Sequence, residues 1–289
     1  MTCLENNHVS VKIKSVGAEL ASLVNKSTGT EHIWQADPAV WAKSSPILFP
    51  IVGTLKDNRY FFEEKSYELG RHGFAREKEF STQKTDASTA VFTLRQDDPS
   101  LRNYPFPFLL TVTYTLEKDT MTVSYRVVNE GPTHMYFSIG AHPAFSVPFV
   151  PGTTYSDYFL EFEKAENAGR WPISKDGLIE ASPMECLSNT HTLPLKKELF
   201  SKDALVFKDI RSSEISLRSS KSEHGLRMNF PGFPYLGLWS TKGGDFVCIE
   251  PWCGIADSVD TDQQFEQKEG IYKLAPGAEF VRAWSVTVF

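Results

Sequence analysis

The chain has 289 residues, 41% of them hydrophobic and 23% charged, which is the balance of an ordinary globular protein with ample material for a large core. A formal net charge of −6 and a pI of about 5.7 argue against general nucleic-acid binding, which needs a basic footprint. No stretch approaches the roughly 18 uninterrupted apolar residues of a membrane span, and Met1 to Ser10 contain no apolar signal-peptide core. Cys3, Cys186, Cys248 and Cys253 form no CxxC pair and no small secreted framework, so they read as reduced thiols of a cytoplasmic protein.

Along the chain the dominant hydrophobic period is two. Val9, Val11 and Ile13 alternate with Ser10, Lys12 and Lys14, and Ala90, Phe92 and Leu94 repeat the pattern. Leu110, Val112, Tyr114 and Leu116 lead into Glu117-Lys118-Asp119-Thr120, after which Met121, Val123, Tyr125 and Val127 resume, which predicts an antiparallel hairpin. Tyr158, Leu160 and Phe162 form another strand, and Trp284, Val286 and Val288 a last one after the turn at Pro276-Gly277. Helical signals are confined to single turns at Asp37 to Ala42 and Leu195 to Phe200. Many short strands with Gly/Pro turns, no repeat and no linker predict one all-β domain, a sandwich or barrel, over residues 1–289.

Three segments are candidates for chemistry: Arg71-His72-Gly73-Phe74-Ala75-Arg76, Ser138-Ile139-Gly140-Ala141-His142-Pro143 and Val247-Cys248-Ile249-Glu250-Pro251-Trp252. His142 and Glu250 each directly precede a proline, which biases them to extended backbone where a strand leaves its sheet. Glu250 follows the apolar run Phe246 to Ile249, where an unpaired carboxylate is costly and must be either paired for structure or functional. Competing readings are plainer: a hydrogen-bonding histidine, an Arg76 paired with Glu77 or Glu79, and packed rings at Trp239, Trp252 and Phe145. No GxSxG elbow, P-loop, GxGxxG loop, HExxH or His-x-His pair is present, so no cofactor and no metal are expected. Glu250 and Asp203 are a pair of carboxylates that a glycosidase would want, and that alternative stays open.

Taken in order, several segments resemble the aldose 1-epimerase (galactose mutarotase-like) family. They are Gly17 to Leu23, Ile33-Trp34-Gln35, Pro46 to Gly53, Asn58-Arg59, His72-Gly73, the His142 segment, Asp203 to Val206 and Ile249 to Trp252, and they span nearly the whole chain. The resemblance implies an antiparallel β-supersandwich with a sugar groove on one curved sheet. It implies Glu250 as general base and His142 as general acid, with Arg59, His72 and Asp203 orienting the sugar. Arg71, Arg76 and Lys56 are candidates for binding a phosphate, and Trp252 is a candidate stacking surface. His72-Gly73-Phe74 replaces the His-Gly-Gly of the galactose-specific enzymes, which argues for a different aldose. His72 to Arg76 also resembles the hexose-6-phosphate epimerase branch, yet Ser44-Ser45-Pro46-Ile47-Leu48 stands where that branch has Arg-Gly-Gly-Ile-Pro.

The implied reaction opens and recloses the sugar ring. Glu250 takes the C1 hydroxyl proton while His142, expected to start protonated opposite an ionised Glu250, protonates the ring oxygen. The alternatives are a hexose-6-phosphate 1-epimerase and a non-catalytic carbohydrate-binding or sensor protein on the same fold. The expected partner is a small sugar, with no nucleic acid and no membrane, and the chain is expected to be a monomer or homodimer.

Overall fold

The computed structural model describes residues 1–289. The Phe108–Glu117 and Thr120–Asn129 strands form the hairpin that the alternation predicts, with Leu110, Val112, Tyr114 and Leu116 turned inward and the intervening threonines outward. Lys118 takes the left-handed conformation (φ 51°) that closes this two-residue turn.

The hairpin lies inside a nine-stranded antiparallel sheet. In order, its strands are Met184–Pro194, Tyr158–Arg170, Glu214–Ser219, Ser222–Asn229, Glu279–Val288, Thr120–Asn129, Phe108–Glu117, Thr89–Arg95 and Ser81–Lys84. A second sheet runs Leu205–Phe207, Tyr235–Trp239, Phe246–Cys253, Ile139–Ala141 and Ile47–Leu48, with Ala144–Ser146 also paired to Phe246–Cys253. A four-stranded N-terminal sheet (Thr2–Glu5, Val9–Ile13, Leu20–Asn25, Thr30–Glu31) and two hairpin-sized sheets complete the all-β supersandwich.

One apolar core joins the inner faces of the large sheets. Leu110, Val112 and Trp284 from the nine-stranded sheet share it with Val247 and Ile249 from the other, and Phe49 meets Phe108 at 5.0 Å between ring centres. Two large polar side chains in this core find partners. Tyr114 donates to Ala18 C=O (2.8 Å) and Trp284 Nε1 donates to Tyr125 Oη (2.9 Å).

The helical expectations need correction at two places. Asp37 to Ala42 forms a turn and no helix, and only Lys197–Phe200 of the second segment is helical, as a 3₁₀ turn. The α-helix of the molecule is Asp98–Asn103, which the apolar periodicity did not reveal. It is capped reciprocally: Asp97 Oδ1 accepts from Ser100 N–H (2.7 Å) and Ser100 Oγ accepts from Asp97 N–H (2.9 Å). No helix is long and apolar enough to cross a membrane.

Candidate active site

The Phe246–Cys253 strand is buried along its whole length, so both of its faces meet protein. The two-residue period divides them. Val247 and Ile249 enter the main core, while Cys248, Glu250 and Trp252 project to the opposite face. Sheet register then explains the position of His142. Gly140 pairs with Trp252 and Ala144 with Cys248, both across the same antiparallel seam. The residue midway between Gly140 and Ala144 therefore stands opposite the residue midway between Cys248 and Trp252, which sets His142 across from Glu250. Directly opposed antiparallel residues have Cβ atoms about 5 Å apart. Here the side chains turn toward each other until His142 Nε2 is 3.3 Å from Glu250 Oε2.

Glycines make room beside this pair. A Cβ on Gly237 would fall 2.4 Å from Trp252 Cζ2, and one on Gly140 would fall 2.7 Å from Trp252 Cδ1. The indole therefore lies flat across two positions that have no side chain. Trp41 stacks on His142, its ring 5.1 Å from the imidazole at 27°.

A cleft of about 500 Å³ opens over these residues, within the range of small-molecule sites. His72, His142, Glu250, Asp203, Arg76 and Trp252 all line it. His72 sits at φ 67° in the turn before Gly73, where a Cβ would meet Phe49 O at 2.4 Å. The turn is locked by a reciprocal exchange in which His72 N–H donates to Gly53 C=O (2.8 Å) and Gly53 N–H donates to His72 Nδ1 (3.0 Å). Arg71 Nε–H points at His72 Nε2 at 3.3 Å, so each ring nitrogen faces a donor, and a neutral imidazole accepts from only one of them at a time. Asp203, at φ 86°, accepts from Ala204 N–H (2.7 Å) and faces Arg71 Nη2 at 3.8 Å.

Arg59 does not join the cleft. Tyr60 and Phe62 of its strand point into the core, so the period of two turns Arg59 outward, where it lies 3.9 Å from Glu68. The guanidinium groups that line the cleft are those of Arg71 and Arg76 instead. Arg76 combines both of its sequence readings: it lines the cleft, and its Nε is 3.7 Å from Glu77 while Nη2 donates to Arg71 C=O (3.0 Å). Trp41 and Lys242 are lining residues that the sequence did not single out. Trp41 sits in the turn after Asp37, and the one local signal was its place among the aromatic residues Trp34 and Trp41.

Burial dominates the electrostatics. It pushes the His142 imidazole down to about 3, with Arg71 and Arg76 acting in the same direction. It pushes the Glu250 carboxyl well above the usual carboxylate range, opposed by the charge of Arg71. His72 is held well below the usual imidazole value, again by burial first and then by the charge of His142. An imidazolium facing a carboxylate and a neutral imidazole facing a carboxylic acid carry the same single proton. The expected starting state is the first of these, and burial of the unliganded pair favours the second. The 3.3 Å approach is not aligned as a hydrogen bond. Glu250 Oε2, His142 Nδ1, Trp252 Nε1 and Arg76 Nε all lack a hydrogen-bond partner within the protein. Unpartnered buried polar atoms are costly, and here they gather at one cleft, where a polyhydroxylated ligand would satisfy them.

His142 and Glu250 thus stand side by side in a cleft bordered by indole rings and lined by Arg71, Arg76 and His72. The aldose 1-epimerase family profile matches residues 1–273, and this chain belongs to the aldose 1-epimerase family. It is 35% identical to the plasmid-encoded protein LacX of Lactococcus lactis subsp. lactis, over 99% of this chain and 98% of that relative. A galactose mutarotase related enzyme from Lactobacillus acidophilus superposes with a TM-score of 0.94 at 34% identity, covering 100% of this chain and 97% of that one. A galactose mutarotase-like protein from Lactobacillus casei does so with a TM-score of 0.93 at 30% identity over 100% of both chains. The fold is accordingly the galactose mutarotase-like supersandwich.

Proposed function

We propose that the cleft interconverts the α and β anomers of an aldose by opening and reclosing its ring. The observation that carries this reading is the His142–Glu250 pair, 3.3 Å apart and lining the cleft. The two oxygens that exchange protons in mutarotation, O1 and the ring oxygen, are bonded to one carbon. An acid and a base serving them must therefore stand side by side.

On binding, the sugar hydroxyls and the Arg71 guanidinium supply the carboxylate with the partners that burial denies it, and the shared proton passes to His142. Glu250 then removes the O1 proton as His142 protonates the ring oxygen, and the C1–O bond of the ring breaks to leave the aldehyde. Rotation about C1–C2 turns the other carbonyl face to the ring oxygen. On closure His142 takes back its proton and Glu250 returns one to O1, so the pair ends as it began. His72, Arg71 and Asp203 orient the ring hydroxyls. Trp252 offers its face to the C–H side of the sugar. The four free cysteines support a reducing, cytoplasmic setting.

A phosphorylated aldose is the second reading, favoured by the cations Arg71, Arg76 and Lys242 that line the same cleft. Saturation-transfer NMR on D-galactose, D-glucose and their 6-phosphates, with wild type and Glu250→Gln, tests both. Exchange above the spontaneous rate that disappears in the variant is expected. A protein that binds these sugars and exchanges none of them is a sugar-binding protein, and the catalytic reading falls.

A further inference from the structure

We infer that Cys248 completes, with His142 and Glu250, a binding site for a zinc-class divalent cation, and that occupancy of this site blocks the reaction. The possible ligand atoms of these three residues all lie within 4.8 Å of one another. Strand geometry makes this grouping. Cys248 and Glu250 are two residues apart on one face of the Phe246–Cys253 strand, and His142 stands across the seam from Glu250.

The donor atoms are available. Glu250 Oε2 has no hydrogen-bond partner in the protein, and His142 Nε2 faces it at 3.3 Å without an aligned hydrogen bond, on residues that are 1% and 7% exposed. Cys248 is wholly buried and takes no part in the proposed ring opening. One nitrogen, one sulfur and one oxygen suit zinc, whereas calcium and magnesium want oxygen sets. Bonds of about 2.0 to 2.3 Å around a tetrahedral zinc place neighbouring ligands roughly 3.5 Å apart. The 3.3 Å between His142 Nε2 and Glu250 Oε2 meets that spacing already, so rotation of the Cys248 side chain is the main adjustment. The fourth position falls on the cleft side, because His142 and Glu250 line the cleft.

A cation held there takes the lone pairs that the acid/base pair uses, and it occupies the place of the sugar oxygens. Inhibition is therefore competitive with sugar. This second half of the inference rests on the mutarotase reading; cation binding itself does not. The sequence signals for metal sites, HExxH and His-x-His, are spacings within one element. They are blind to a set assembled by register between strands.

The test uses the full chain without sugar. Zn²⁺ binding is measured by isothermal titration, and Co²⁺ serves as a coloured probe whose thiolate charge-transfer band reports a sulfur ligand. Wild type is expected to bind one ion and to show the band. Cys248→Ala is expected to lose the band and to bind more than about tenfold more weakly, while keeping its metal-free anomer exchange. A band that persists in Cys248→Ala, arising from Cys3 or Cys186, overturns the inference, as does equal Zn²⁺ affinity in the two proteins. Circular dichroism and the melting temperature establish that the variant is folded, and Cys248→Ser replaces it if alanine is not tolerated. Binding through Cys248 in a protein that exchanges no sugar would leave the cation site standing and remove the mutarotase reading alone.

Discussion

The Phe108–Glu117 and Phe246–Cys253 strands are both interior strands of large antiparallel sheets, and they solve burial in opposite ways. The first alternates buried apolar residues with half-buried threonines, and its one buried hydroxyl, Tyr114, is bonded to Ala18. The second is buried on both faces and carries Glu250 and Trp252 with polar atoms that no protein group satisfies. The first strand is where local pattern, sheet geometry and packing agree. The second keeps a carboxylate where solvation is poor, a cost that makes sense at a site built to receive a polar ligand.

Five perturbations sharpen this contrast. Glu250→Gln removes the base while keeping its shape. Anomer exchange is expected to fall on the order of 1,000-fold by saturation-transfer NMR, with no loss of melting temperature, because a buried carboxyl is exchanged for a neutral amide. Phe108→Ala should do the reverse, costing about 3 to 5 kcal/mol in urea unfolding and leaving exchange per folded molecule unchanged. If the two variants damaged stability and activity in equal proportion, the division between scaffold and site would be wrong.

Acid should weaken the fold through its buried histidines. Burial, helped by His224, lowers His32 from 6.5 to about 4, and neither of its ring nitrogens has a partner. Between those values the unfolded chain binds a proton that the folded chain refuses, so stability is full above pH 6.5 and declines as pH falls toward 4. The shift corresponds to about 3 kcal/mol for His32. Urea unfolding of His32→Leu at both ends of this window should show a shallower decline than wild type, and an identical decline would remove His32 from the account. His72 and His142, lowered in the same direction, would carry the remainder.

Gly237→Ala drives a methyl group into Trp252. A cost of about 1 to 3 kcal/mol is expected. Sugar exchange should fall on the order of tenfold to 100-fold, as for a misplaced ligand-contacting group. Arg59→Ala is the smallest change, expected within about 0.5 kcal/mol of wild type and without effect on exchange. A large loss of exchange there would return Arg59 to the cleft.

The scaffold was legible because its strands obey the two-residue period over long runs, as in Leu110 to Leu116 and Met121 to Val127. His142 and Glu250 were legible as types of residue in unusual places, each before a proline and one after an apolar run. Their meeting was not, because it depends on the Gly140–Trp252 and Ala144–Cys248 register between segments about 100 residues apart in sequence. Arg59 misled because its motif outweighed the parity of Tyr60 and Phe62, which already turned it outward. The Asp98–Asn103 helix escaped because a single capped turn and a half has no apolar period to show, although Asp97 and Ser100 spell its cap.

Trp41, Trp239 and Trp252, three of the six tryptophans in the chain, border the cleft. The molecule therefore carries its own optical reporter. On the proposed function, a sugar seated among these indoles would alter their emission without any label, and an emission titration would rank candidate sugars by affinity whether or not they turn over. Occupancy and turnover thereby become separately measurable quantities in one cuvette.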